Sequence, residues 1–115
     1  MIIKRGDVLL ADLDPVKGSE QGKIRPCIVV QNAPANQFSP NTIIVPMTST
    51  IPDKKYPTNV ILPKGETGLP KESTALCSQV RTISKQHRVL RKMGSLKPQR
   101  MREVDEALKT SLALE

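Results

Sequence analysis

The 115-residue chain carries a formal charge of +7, a sequence pI near 9.7, two cysteines and only two aromatic rings, Phe38 and Tyr56. Its length allows one domain and leaves no room for two of ordinary size. The charge points to a polyanionic partner, whether nucleic acid, an anionic membrane surface or an acidic protein segment, and the scarcity of rings disfavours a platform that stacks bases on aromatic side chains.

The N-terminal "MIIKRGD" has no apolar stretch of signal-peptide length, and the run Cys27 to Val30 is far too short to cross a bilayer. A soluble, cytoplasmic protein without membrane association is expected. From there the chain reads as a succession of strands. "DVLLADL" (7–13), "PCIVVQN" (26–32) and "TIIVPMT" (42–48) are rich in residues that suit a pleated, buried surface, and "TNVILP" (58–63) and "STALCSQVRT" (73–82) alternate in the half-buried manner. The connectors "DPVKGSEQGK", "NAPANQFSPN" and "IPDKKYP" are polar and rich in Pro and Gly. Strands at this spacing without helices between them predict a small twisted antiparallel sheet or barrel.

The C-terminus changes period. Met101, Val104, Leu108 and Leu112, with Ala107 and Ser111 beside them, repeat at three and four residues and lay down one apolar helical stripe. Ser95 is the expected cap, with Pro98 in the first turn. The whole therefore reads as mainly β with a C-terminal α-helix. A domain of this size hides only about two-thirds of its unfolded surface, so a second copy would add useful apolar contact and a homodimer is expected.

Chemistry-bearing residues are few. Cys27 and Cys77 sit inside apolar runs without the spacing of a zinc site and are expected to be small buried side chains, unbridged in a reducing compartment. No carboxylate occurs between Ser73 and Arg102, whereas Arg81, Lys85, Arg88, Arg91, Lys92, Lys97, Arg100 and Arg102 all do, so a basic face is expected. His87 is the single histidine, which excludes a two-histidine cleavage site within one chain, and it reads as a solvated member of that face. No metal-binding carboxylate cluster is visible, which argues against a two-metal nuclease. "GSEQGK" (18–23) resembles a phosphate loop only superficially: the spacing is short, Ile24 stands where Ser or Thr is needed, and a strand follows.

Arg25 is the exception. Pro26 pushes the residue before it into an extended conformation and is tolerated where a strand begins. Arg25 is thus expected at the rim of the sheet, beside a mobile polar loop that Gly18 and Gly22 allow to bend or approach a ligand. A fixed guanidinium next to such a loop suits a phosphate.

"RGDVLLADLDPVKGSEQGKIRPCIVVQN" (5–32), "NTIIVPMTS" (41–49), "SQVRTISKQHR" (78–88) and "VDEALKTSLAL" (104–114), in this order, resemble the MazF/PemK/Kid toxins, sequence-specific and ribosome-independent endoribonucleases of toxin–antitoxin systems. The resemblance implies a single domain over residues 1–115, an SH3-like barrel with a C-terminal helix, assembled as a homodimer. It implies Arg25 as the central catalytic residue and Thr48 as its assistant, with single-stranded RNA cut by its own 2′-hydroxyl to leave a 2′,3′-cyclic phosphate and a 5′-hydroxyl, with no metal or other cofactor. Ser19, Glu20, Gln21 and Lys23, with Gln79 and Arg81 and with Arg88 of the basic run, are the expected RNA groove. An acidic, flexible antitoxin segment of the MazE kind is the expected inhibitor. Because arginine is a poor proton acceptor, Arg25 is expected to stabilise phosphorane charge. Many family members have a carboxylate where this chain has Ser78, and Glu20 is the motif carboxylate nearest to replacing it. The loops at 17–23 and 36–40 are expected to set the recognised sequence. Two other readings stay open: a non-enzymatic gyrase poison of the CcdB type on the same fold, and a plain RNA-binding module.

Overall fold

The computed structural model describes residues 1–66 and 68–114. Among the described residues seven strands form one antiparallel sheet: β1 (Asp7–Asp12), β2 (Ile24–Val29), β3 (Asn41–Thr48), β4 (Asn59–Leu62), β5 (Ser73–Leu76), β6 (Arg81–Ser84) and β7 (Val89–Ser95). Three helices accompany them, α1 (Ala33–Phe38), α2 (Lys85–Arg88) and α3 (Pro98–Ser111). The strand order is β4-β5-β3-β2-β1-β7, with β6 also on β3. The path is open, and its arrangement is that of a small barrel-like, mainly β fold with a C-terminal helix.

β3 organises the sheet. It pairs with β2 through Val29↔Ile44, Ile28↔Val45 and Cys27↔Pro46, with β6 from Asn41 to Ile44, and with β5 at Met47 and Thr48. The changeover from β6 to β5 falls at Val45 and Pro46, and a proline, which has no N–H to give a ladder, suits such a break.

Because successive side chains point to opposite faces, the central strands feed two cores. Val8, Ile28, Val45 and Met47 join Val104, Ala107 and Leu108 of α3 on one face, while Leu9, Ala11, Cys27, Val29, Ile44 and Ile83 close the other. At about 25 cal/mol per Å² of apolar surface, each of the Val, Leu, Ile and Met side chains among them stabilises the fold by roughly 1.5–3 kcal/mol before chain entropy opposes it.

Several expectations are corrected. "STALCSQVRT" is two strands, β5 and β6, because a turn closed by Gln79 N–H to the Leu76 carbonyl (3.0 Å) interrupts it. The basic stretch 89–95 is an edge strand, β7, paired with β1 and exposed at Arg91 and Lys92. Ser95 therefore ends β7 and caps nothing; Lys97 is the N-cap of α3 and its side chain makes no capping bond. Leu112 lies outside the helical stripe and is 52% exposed. The connector 32–41 contains α1, started by Asn32, whose Oδ1 accepts from Ala35 N–H (2.9 Å). Buried Asn36 anchors α1 through Gln31 Nε2 (3.0 Å) and Thr42 Oγ1 (2.8 Å), which both donate to its Oδ1, and Lys85 Nζ donates to its carbonyl. Residues 36–38 are thus the pinned end of a helix.

The "RGDV" stretch is architectural. Gly6 takes a φ of +93°, which a side chain would resist, while Asp7, 3% exposed, accepts from Lys4 N–H (2.8 Å) and pairs with Lys92 (3.1 Å). Arg5 bridges to Asp105 of α3 (2.8 Å), tying the chain's start to its last helix.

Candidate active site

Arg25 is the second residue of β2 and pairs with Ala11 of β1, so it stands within the sheet and not at its rim. On its other side the β2–β3 ladder has already stopped at Cys27↔Pro46. Carrying that register two places further sets Arg25 opposite Thr48, on one face and without a ladder between them. The guanidinium fills the opening: Nη1 lies 3.5 Å from Thr48 Oγ1, and Nε donates to the Gly22 carbonyl at 2.8 Å. Among the described residues no carboxylate pairs with Arg25. Its charge is left to a cavity of about 210 Å³ lined by Arg25, Pro26, Thr48, Ser49, Lys71 and Ser73. Sequence reasoning missed Lys71, a second cation at this cavity, because it lies in a connector with no pattern to mark it.

Seven other side chains were expected nearby. Ser19, Glu20, Gln21, Gln79 and Arg81 do come together, lining with Ser78 a neighbouring cleft of about 500 Å³. Lys23 is exposed and lines neither hollow. Arg88 is engaged elsewhere: its Nη1 donates to the Asp12 (3.1 Å) and Asp14 (2.6 Å) carbonyls, holding the end of β1. His87 is exposed, and its backbone N–H bonds the Ser84 hydroxyl (3.2 Å) that caps α2. Among the described residues no three His, Cys, Asp or Glu side chains gather as metal ligands would.

The glycine-bracketed loop, expected to be mobile, is tethered along its length. Leu13 N–H donates to the Lys23 carbonyl (2.8 Å), Lys23 N–H to Asp14 Oδ1 (2.8 Å), and Gln21 N–H to Gln79 Oε1 (2.8 Å). Lys17 N–H donates to Glu20 Oε1 (2.7 Å), so that carboxylate caps its own loop. Arg81 Nη1 donates to the Leu13 carbonyl (2.7 Å). These bonds hold Lys23 at a φ of 66°, a left-handed conformation that costs a non-glycine residue about 1–2 kcal/mol.

Cys27 is buried beneath this site. Burial pushes its thiol up to about 12, although the nearby Arg81 and Arg25 guanidinia work in the opposite direction. The thiol is thus neutral packing. Cys77 is likewise raised to about 12 by burial, and both cysteines are free.

Residues 4–112 match a family described as the PemK-like, MazF-like toxin of type II toxin–antitoxin systems. The chain belongs to the PemK/MazF toxin family. The match agrees with the fold and the motif order, and relatives of known sequence and structure agree with it. Endoribonuclease EndoA of Bacillus subtilis (strain 168) is 48% identical over 114 residues, covering 99% of this chain and 97% of that protein. MazF from Deinococcus radiodurans superimposes with a TM-score of 0.85 at 23% identity over 99% of both chains. A mycobacterial endoribonuclease solved in complex with its cognate antitoxin gives 0.78 at 23% identity, over 96% of this chain and 95% of that one. At that identity the structural likenesses establish the PemK/MazF fold.

Proposed function

We propose that this protein is a toxin that acts as a sequence-specific, ribosome-independent endoribonuclease on single-stranded mRNA, without a metal, in the cytoplasm. The observation that carries the reading is Arg25, a permanently charged guanidinium fixed by the Gly22 carbonyl beside Thr48 and free of any carboxylate partner among the described residues. A cation prepared in this way stabilises charge that grows on a phosphate during reaction and needs no reorganisation at that moment. The family match and the EndoA relative support the choice of RNA.

In this reading the RNA 2′-oxygen attacks the adjacent phosphorus, a P–O bond forms there, and the bond to the 5′-oxygen breaks. The products are a 2′,3′-cyclic phosphate and a 5′-hydroxyl, and the proton lost at the 2′-oxygen is matched by one gained at the 5′-oxygen. Arg25 neutralises the pentavalent phosphorane, and the Thr48 hydroxyl orients its oxygens. Ser19, Glu20, Gln21, Gln79 and Arg81 hold the flanking nucleotides in the neighbouring cleft, and Lys23 supplies an exposed charge to the backbone.

Homodimerisation belongs to the same reading. Val80, Leu112 and Leu114 are exposed apolar side chains around a groove of about 570 Å³ between α3 and the sheet, a surface that a second copy would cover. The antitoxin of such a toxin is an acidic, flexible chain that competes for the basic face, and the antitoxin-bound mycobacterial relative supports a partner of that role.

The test is to incubate purified protein with a long RNA in excess EDTA, map the ends, and repeat with Arg25→Ala. Cyclic-phosphate ends at recurrent sequences, lost in the variant, are expected. Intact RNA with the wild type would remove the enzyme reading in favour of a binding module or a gyrase poison, and cleavage that survives the substitution would remove the assigned site.

A further inference from the structure

We propose that Asp14 is a positioning residue for Arg25, acting through the backbone of Gly22 and Lys23; this deepens the endoribonuclease reading and rests on it. Asp14 lies just beyond β1, and its Oδ1 accepts from Lys23 N–H at 2.8 Å. The same oxygen packs against Gly22 so closely that a Cβ built there would sit 2.4 Å from it and 2.7 Å from Val16 Cγ2. Gly22 in turn offers the carbonyl that accepts from Arg25 Nε at 2.8 Å. One carboxylate oxygen therefore fixes the peptide that fixes the guanidinium.

The arrangement explains three features together. Gly22 does not have positive φ among the described backbone angles, so its lack of a side chain serves close approach: the carboxylate occupies the space a Cβ would take. Lys23, which does have positive φ, has both backbone groups committed, its N–H to Asp14 and its carbonyl to Leu13 N–H (2.8 Å). Asp14 is itself held, since Arg88 donates to its carbonyl and to that of Asp12. Arg88, expected from the sequence to touch RNA, thus acts at the far end of the same chain of bonds. By taking Nε, the Gly22 carbonyl directs the terminal guanidinium nitrogens toward Thr48 and the cavity, where a bidentate grip on phosphate requires them.

Asp14→Ala and Asp14→Asn separate this role from a general contribution to stability, because the Asn side-chain oxygen can still accept from Lys23 N–H while the charge is removed. On a short RNA under single-turnover and steady-state conditions, Asp14→Ala should lower kcat by about tenfold or more with a smaller change in KM, as misplacing a reacting group does, and Asp14→Asn should recover most of it. Independently of RNA, the 15N-labelled arginine signals report the Arg25 Nε–H, identified by its loss in Arg25→Ala. Its exchange with solvent should accelerate in folded Asp14→Ala and stay slow in Asp14→Asn. Unchanged exchange in Asp14→Ala, or Asp14→Asn behaving as Asp14→Ala does in exchange, overturns the proposal whether or not the protein cuts RNA. Failure of the wild type to cleave RNA overturns the endoribonuclease reading and leaves the exchange measurement to decide the role of Asp14.

Discussion

Arg25 and Thr48 face each other across a stretch where β2 and β3 run side by side without a ladder, two places beyond Cys27↔Pro46. Their 3.5 Å separation is long for a hydrogen bond. Each is held instead by its own backbone contact, Arg25 Nε by the Gly22 carbonyl (2.8 Å) and Thr48 Oγ1 by Thr50 N–H (3.2 Å), and the gap between them is left for a phosphate. Thr48→Val keeps the β-branched shape and removes only the hydroxyl. It is expected to slow cleavage by about ten- to a hundredfold, less than removing a principal charge donor, with the melting temperature nearly unchanged. Single-turnover kinetics beside a thermal melt check both halves.

Lys23 and Arg88 have the same charge and opposite expected roles. Lys23 is exposed beside the site, so Lys23→Ala should weaken RNA binding at all sequences and reduce the slope of log K against log salt by about 0.7, one phosphate contact on a single strand. Arg88 is committed to the Asp12 and Asp14 carbonyls, so Arg88→Ala should lower stability by about 1 kcal/mol and leave that slope close to the wild-type value. Titrations at several salt concentrations and a denaturant melt distinguish the two.

How far the sequence reached follows from which signals are local. The apolar runs of β1, β2 and β3, the stripe through Val104 and Leu108, and the restriction that Pro26 places on Arg25 are all carried by neighbours in the chain. The division of 73–82 into β5 and β6, the edge strand β7 and the helix α1 depend on what the rest of the fold covers. Burial of Asn36 against Gln31 and Thr42 is a tertiary event that no window of polar residues announces. The same holds at the site: motif order brought Arg25 and Thr48 together by resemblance, but the Gly22 carbonyl, Lys71 and the Asp14 contact belong to no pattern along the chain. Arg88 reads in sequence as part of a basic face because its carbonyl partners lie 74 and 76 residues away.

Both cysteines should be chemically quiet in the native state. With thiols raised to about 12 by burial, neither Cys27 nor Cys77 presents thiolate near neutral pH, and both are covered. Iodoacetamide at pH 8 should label the native protein far more slowly than the urea-unfolded chain, followed by mass spectrometry. Rapid native labelling of Cys27 would mean that the floor of the site opens.

Glu66 gives a dependence on acid. The hydrogen bond from Arg100 holds its carboxyl below the ordinary value of 4.5, and the pair (2.8 Å) ties Glu66 to α3. A carboxyl whose folded pKa is depressed adds stability that is complete above the unfolded value and is lost as the pH falls through the folded one. The wild type should therefore melt slightly above Glu66→Gln at pH 7, and the gap should narrow progressively below pH 4.5. Melting curves from pH 7 to pH 3 check the sign; a gap that widens in acid would contradict it.

The central claim is that the Arg25 guanidinium stabilises the reacting phosphate. It is tested most directly by the single-turnover cleavage rate of one short RNA in EDTA, measured for the wild type, for Arg25→Ala, and for Arg25→Ala with added guanidinium ion. The account predicts a fall of about a hundredfold or more on substitution, with RNA affinity changed much less, and partial recovery when guanidinium is supplied. A rate for Arg25→Ala within about twofold of the wild type would contradict it, because one oriented donor at a reacting centre carries far more than that.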